Sequence, residues 1–106
     1  MNIKGSLPLL ILHILSEKPN HGYEIAKRIS SHSQGILDFK GGTLYPTLHT
    51  LEQEGLVESY TQEEKGRLRR YYSLKDAGRE ALSQEVEEWT RFVNAVNRIL
   101  EGGASA

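Results

Sequence analysis

Apolar positions along this chain fall into four helical stripes and one pair of β-type runs. Leu9, Leu10, Ile11, Leu12, Ile14 and Leu15 make a first helix over residues 6–16 apolar nearly all round, which predicts the central helix of the core. Ser6 is its expected N-cap, and Pro8 falls in the first turn, where its missing N–H costs little. Lys18-Pro19-Asn20 breaks the helix. A second helix starts from an Asn20 or His21 cap, with Tyr23, Ile25, Ala26 and Ile29 inward and Glu24, Lys27 and Arg28 outward. His21 and Glu24 have the spacing of a capping-box variant. The polar run 30–35 ends this helix, and residues 36–39 are expected as a short extended piece.

Leu44, Leu48 and Leu51, at i, i+4 and i+7, mark one face of a third helix within residues 41–56. Gly41 and Gly42 are expected to break the preceding structure and Thr43 to cap the helix. Pro46 would then stand third, where its N–H would have no partner in any case. Gly55 supplies a left-handed stop. Residues 56–61 and 69–74 read as two strands joined by a polar turn over 62–67, a β-hairpin. Tyr71 and Tyr72 must point to opposite faces, one to the core and the other over the hairpin or toward phosphate. Leu68 is expected to pack the hairpin.

From residue 75 to 100, Leu82, Val86, Trp89, Val93, Val96 and Leu100 are spaced 4, 3, 4, 3, 4, a sustained 3.5-residue repeat that Phe92 and Ile99 widen. Such a helix reaches roughly 39 Å, more than so small a body can cover. Its seam calls for a partner, and a second copy is the simplest. The last residues, 102–106, read as a frayed tail. The order of helix, helix, helix, hairpin and long helix predicts a mainly α chain with a small β-hairpin. That is a winged helix-turn-helix over 1–74, followed by a dimerisation helix and tail over 75–106.

Composition changes this picture in two places. The chain has no cysteine, which excludes disulfides and thiolate sites. The apolar run 7–15 is too short to cross a bilayer, and no small-residue cleavage site follows it, so a cytoplasmic protein without membrane contact is expected. Net charge is −1, but residues 1–75 carry 10 Lys/Arg against 8 Asp/Glu, whereas 76–106 carry 3 against 6. The basic excess concentrates in Lys65, Arg67, Arg69 and Arg70 on the hairpin.

The candidate chemistry follows that distribution. On the third helix, the face opposite the leucines presents Tyr45, Thr47, His49 and Thr50, with no acid before Glu52. Small hydroxyls, an imidazole and a phenol suit the major groove of DNA better than bulk water, and Lys40 adds a phosphate-binding candidate. The basic hairpin can lie along the phosphate backbone or reach the minor groove. On the last helix, Trp89, with Phe92 and Val93, is expected at the packing seam or lining a cavity between two subunits where a flat aromatic effector could stack. Histidines 13, 21, 32 and 49 form no metal-binding pattern, and His13 is expected as a hydrogen-bonded core residue. No nucleophile–base pair, P-loop or dinucleotide fingerprint occurs, so no enzyme, cofactor or catalytic residue is expected.

Several stretches carry a resemblance. They are Leu12-His13-Ile14-Leu15 leading to His21-Gly22-Tyr23-Glu24-Ile25, then Gly42-Thr43-Leu44-Tyr45-Pro46-Thr47-Leu48 and Leu51-Glu52-Gln53-Glu54-Gly55-Leu56-Val57. The last is Gly66-Arg67-Leu68-Arg69-Arg70-Tyr71-Tyr72-Ser73-Leu74 with Ala77-Gly78-Arg79. In this order and spacing the chain resembles the PadR family of bacterial transcriptional regulators, in its subgroup with a single C-terminal dimerisation helix. The resemblance implies a homodimeric winged-helix repressor, released by a ligand from an inverted-repeat operator. It also implies DNA contacts at Thr43, Tyr45, Pro46, His49, Lys65, Arg67 and Arg69, and it raises the aromatic-effector reading at Trp89. The chain departs from the family at Thr50, where a basic residue is common, and at Lys75, where a capping Thr is common and Asp76 is expected to cap instead. Two rival readings predict different behaviour: a protein–protein adaptor built on the same scaffold, and a ligand sensor that no longer binds DNA.

Overall fold

A computed structural model describes residues 4–102; of the expected frayed tail, residues 103–106 lie outside the described residues. A 3-10 turn, Lys4–Ser6, leads into α1 (Leu7–Glu17), β1 (Asn20–His21), α2 (Gly22–His32), α3 (Gly41–Gln53), β2 (Val57–Glu64), β3 (Arg67–Leu74) and α4 (Asp76–Leu100). The strands form one antiparallel sheet in the order β1-β3-β2. This is the winged helix-turn-helix with a long terminal helix that the apolar pattern predicts, with one strand added. β1 pairs Asn20 with Tyr72 and His21 with Tyr71. Two residues are too few to show a period of two, so no sequence signal announces it.

Helix α1 is the centre of the core. Leu7, Ile11, Leu12, Ile14 and Leu15 are buried, and the helix packs against α2, α3, β3 and α4. Surrounded on most sides, it has no use for a polar face. His13 is the exception: it is exposed, because Ile11, Ile14 and Leu15 take the inward angles. The expected core histidine is thus a solvated one. Ser6 occupies the N-cap position, but its helical backbone continues the 3-10 turn and its side chain makes no capping bond.

In α2, His21 is the cap: its Nδ1 accepts the Glu24 N–H at 3.3 Å. The return arm of a capping box is replaced, since the Glu24 carboxylate pairs with Arg28, which also reaches Glu17 of α1. Ile25 and Ile29 are buried as expected, whereas Tyr23 is 64% exposed. Residues two apart lie on opposite sides of a helix, so Tyr23 cannot share the inward angle of Ile25. Residues 36–39 form no strand; Phe39 plugs the core and Ile36 faces solvent.

Helix α3 starts three residues earlier than predicted. Lys40 is the N-cap, and its carbonyl accepts the N–H groups of both Thr43 and Leu44 at 2.9 Å. Thr43 lies inside the first turn, and Gly41 and Gly42 are helical. Burial of Leu44, Leu48 and Leu51 offsets the cost of two helical glycines, about 1 kcal/mol each relative to alanine. Pro46 is therefore interior rather than third. Lacking an N–H, it leaves the Gly42 carbonyl without its i+4 donor. At the other end, Gly55 has φ +77°, its N–H bonds the Glu52 carbonyl and the Leu56 N–H bonds the Leu51 carbonyl. This pair of bonds is a Schellman stop.

The hairpin turn shrinks to Lys65-Gly66, with φ 51° and 78°, so residues 62–64 and 67 belong to the strands. Two consecutive left-handed residues make the turn whose twist matches that of paired strands. Tyr72 is buried against the core, while Leu68, opposite Glu63 near the tip, is 75% exposed rather than packed. The strands run past the body there, and nothing lies beneath it.

Helix α4 has Lys75 at its N-cap without a side-chain bond, and Asp76 is its first helical residue rather than its cap. Gly78 is buried: a Cβ there would collide with the Leu56 carbonyl oxygen and lie 2.5 Å from Leu74 Cδ1. Ala81 and Leu82 complete the packing against the core. Beyond them the helix projects, and the molecule measures 61 × 29 × 22 Å.

Candidate nucleic-acid interface

Burying Leu44, Leu48 and Leu51 turns the remaining positions of α3 outward. Tyr45 is 50% exposed, Pro46, His49 and Thr50 are exposed, and Thr43 and Thr47 are partly so. No charged residue occurs between Gly41 and Leu51. The Thr47 hydroxyl donates to the Thr43 carbonyl at 2.9 Å and the Thr50 hydroxyl to the Pro46 carbonyl at 3.0 Å. Each hydroxyl has one proton, already committed to the helix, so these threonines offer outward their methyl groups and oxygen lone pairs. Lys40 stands at the head of the helix, its ammonium 2.9 Å from the Asp38 carboxylate, with both side chains largely in water. An exposed pair of this kind holds its cation weakly.

The strand register divides the four wing cations. Arg67, Arg69 and Tyr71 share one face of β3, opposite Glu64, Gln62 and Tyr60 of β2. Arg70 lies on the other face with Tyr72 and turns toward α3. Its Nη2 donates to Ser59 Oγ at 2.9 Å and lies 3.5 Å from Glu52 Oε1, while the Ser59 hydroxyl donates to Glu52 at 2.6 Å. This triad fastens the wing to the last turn of α3. Arg69 pairs through Nε with Glu64 at 3.2 Å, whereas Lys65 and Arg67 stand exposed at the tip.

Glu64 is the pivot of the outer face. It accepts the Tyr71 hydroxyl at 2.7 Å as well as pairing with Arg69. That hydrogen bond, aided by the Arg69 charge, holds the Glu64 carboxyl below its ordinary range, and the same bond raises Tyr71. Tyr71 stacks on Tyr60, with centroids 5.8 Å apart, and meets His21 edge-on at 5.3 Å. Burial raises the phenol of Tyr72. Residues 65–70 hold four cations and no acid in chain order, which conceals the clamps Glu64, Glu52 and Ser59. Only cross-strand pairing brings Glu64 beside Arg69, and only tertiary packing brings Glu52 beside Arg70.

The expected ligand-binding residues lie elsewhere. On α4, Trp89 and Phe92 have ring centroids 6.1 Å apart. Together with Val93, Val96 and Asn97 they line a hollow of about 220 Å³, and with Leu9 and Glu88 one of about 190 Å³ facing the start of α1. Ile99 and Leu100, on the far end of the helix, are 75% and 77% exposed. Among the described residues no group of three or more His, Asp or Glu is placed to hold a metal ion. No described helix is long and apolar enough to cross a membrane.

Comparison with known proteins agrees with this architecture. The sequence profile of the family described as "Transcriptional regulator PadR-like family" matches residues 11–84. The chain is 38% identical over 93 residues to the transcriptional regulator Rv3488 of Mycobacterium tuberculosis, spanning 85% of this chain and 84% of that protein. A transcriptional regulator from Clostridium thermocellum superposes with a TM-score of 0.84 at 33% identity, covering 91% of each chain. Bacillus subtilis PadR, solved in complex with operator DNA, superposes with a TM-score of 0.69 at 25% identity, over 76% of this chain and 46% of that one. These relatives are regulators, not enzymes. From the order of its elements and the extent of these matches, the chain belongs to the PadR-like family of transcriptional regulators.

Proposed function

We propose that this regulator is a homodimeric repressor that reads a pseudo-palindromic DNA operator. The outward face of α3 (Thr43, Tyr45, Pro46, Thr47 and His49) enters the major groove. Lys40, Lys65, Arg67 and Arg69 meet phosphates, and Arg70 holds the wing against α3. The observation that carries this reading is a helix face free of charge in a domain whose wing tip leaves Lys65 and Arg67 exposed. Such a face has little to gain from water and much from base edges. The operator-bound Bacillus subtilis relative supports it through its likeness of fold. Leu82, expected in the seam, packs on the core of its own copy instead; two copies joined through Val86, Trp89, Val93, Val96 and Leu100 would set their third helices about one DNA turn, roughly 34 Å, apart. The hollows beside Trp89, Phe92 and Val93 are the place where a flat aromatic effector would bind between copies and release the DNA.

Selection of duplexes from a random pool by the purified chain tests this directly. An inverted repeat with half-sites about ten base pairs apart is expected. A chain that enriches no sequence is not an operator reader. Arg67→Ala should lower affinity for all duplexes alike and reduce the slope of log K against log salt by about one. An unchanged slope would remove the wing from the contact.

A further inference from the structure

The first turn of α2 and the outward face of α3 meet at Gly22, and the space between them is filled by one ring. A Cβ at Gly22 would lie 2.5 Å from Cε1, 2.8 Å from Cζ and 2.7 Å from the hydroxyl oxygen of Tyr45. Alanine at 22 and the ring in this place exclude each other. Along its other edge, Cδ2 and Cε2 would lie 3.4 and 3.5 Å from a Cβ at Gly41. Tyr45 therefore sits between two bare backbone positions, one on its own helix and one on α2.

Backbone angles do not explain these glycines. Those with left-handed φ are Gly35, Gly55, Gly66 and Gly102, whereas Gly22 and Gly41 are helical, where glycine is less favourable than alanine. A helical glycine whose Cβ site is occupied answers a packing requirement. Packing in a core is not the requirement here, because Tyr45 is half in water. A half-exposed tyrosine on a helix would ordinarily exchange between rotamers, and ordering it on binding costs affinity.

We infer that Gly22 is a positioning residue for DNA reading: it admits the Tyr45 ring to a slot that presents the phenol to the duplex from one fixed place. This rests on the proposed role of α3 as the DNA-reading helix. The slot explains why a glycine follows the His21 cap, which no requirement of α2 itself demands.

The test uses the whole chain as wild type, Gly22→Ala, Tyr45→Ala and the double variant. NMR of ring-labelled tyrosine without DNA reports ring placement. Titration with the duplex that the wild type enriches from a random pool, and with an unenriched duplex, reports reading. Gly22→Ala should move the Tyr45 ring resonances and cut the preference for the enriched duplex about tenfold, with unenriched affinity held within about twofold. In the Tyr45→Ala background, which has no ring at 45, it should leave the affinities for both duplexes unchanged. Unmoved ring resonances, or an equal loss of preference with and without Tyr45, would overturn the positioning role and leave DNA reading intact. A wild type that enriches no duplex overturns the reading and the inference with it. If Gly22→Ala alone fails to fold, the double variant must fold, since the ring is the obstacle; its failure also overturns the proposal.

Discussion

At the scale of single residues, Glu64 ties the two strands of the wing together near their tip. Its carboxylate serves Tyr71 and Arg69 together, and its folded pKa lies below the ordinary glutamate value. A depressed acid contributes stability above its unfolded pKa and loses it as pH falls through the folded value. Tyr71, raised above 10.0 by the same bond, contributes below that value and loses its share as pH rises through the folded one. Glu64→Gln should therefore lower stability by a constant amount around neutrality, and the gap from wild type should close as pH falls through and below the ordinary carboxylate range. Urea unfolding across that range measures it. A gap independent of pH would mean that the Glu64 charge is not what matters. Gly78 tests steric fit instead. Gly78→Ala drives a methyl group against the Leu56 carbonyl oxygen, and α4 must shift to admit it. A loss of about 1–3 kcal/mol is expected in the same unfolding experiment. Unchanged stability would show that α4 does not dock closely at this point.

At the scale of elements, α3 carries a local defect and α2 does not. Pro46 lies inside α3 and deprives the Gly42 carbonyl of its helical donor. Proline in a helix interior costs about 3 kcal/mol relative to alanine. Pro46→Ala should thus raise the melting temperature of the chain, by several degrees for a domain of this size. It should also weaken the preference for operator over random DNA, if the flat ring belongs to the DNA-facing surface. A lowered melting temperature would show that the proline fits a backbone that alanine does not restore. The wing shows the reverse economy. Its two-residue turn, its strand register and the Arg70–Ser59–Glu52 triad together hold two eight-residue strands against α3. The cations are divided by this arrangement: Arg70 is used to fasten, Arg69 is held by Glu64, and Lys65 and Arg67 are left at the tip.

At the scale of the whole molecule, α4 carries an apolar stripe that its own domain leaves uncovered. Its first turns dock through Gly78, Ala81 and Leu82, but Val86, Phe92, Ile99 and Leu100 remain exposed on a projecting helix. Large exposed apolar stripes on a regular helix mark an interaction surface. Val93→Asp, at the middle of the seam, should yield a monomer by sedimentation at micromolar concentration and abolish high-affinity operator binding while the wing domain stays folded. A dimer unaffected by this change would move the interface away from α4.

Much of this was written in local pattern. The stripes of α1, α3 and α4, the left-handed stop at Gly55 and the hairpin, though not its contraction to a two-residue turn at Lys65-Gly66, are visible in the chain, because helix and strand periods and positive-φ turns depend on neighbours in sequence. The outward set on α3 was legible for the same reason: fixing three leucines inward fixes the rest outward. Tertiary packing alone decided the remainder. It placed Tyr23 and His13 in water, recruited Asn20 and His21 as a strand, began α3 at Gly41, set Glu64 and Glu52 against the wing arginines, and seated Tyr45 against Gly22. Each of these depends on groups far apart in the chain meeting in space, and no spacing along a sequence records the distance between two elements that have not yet packed.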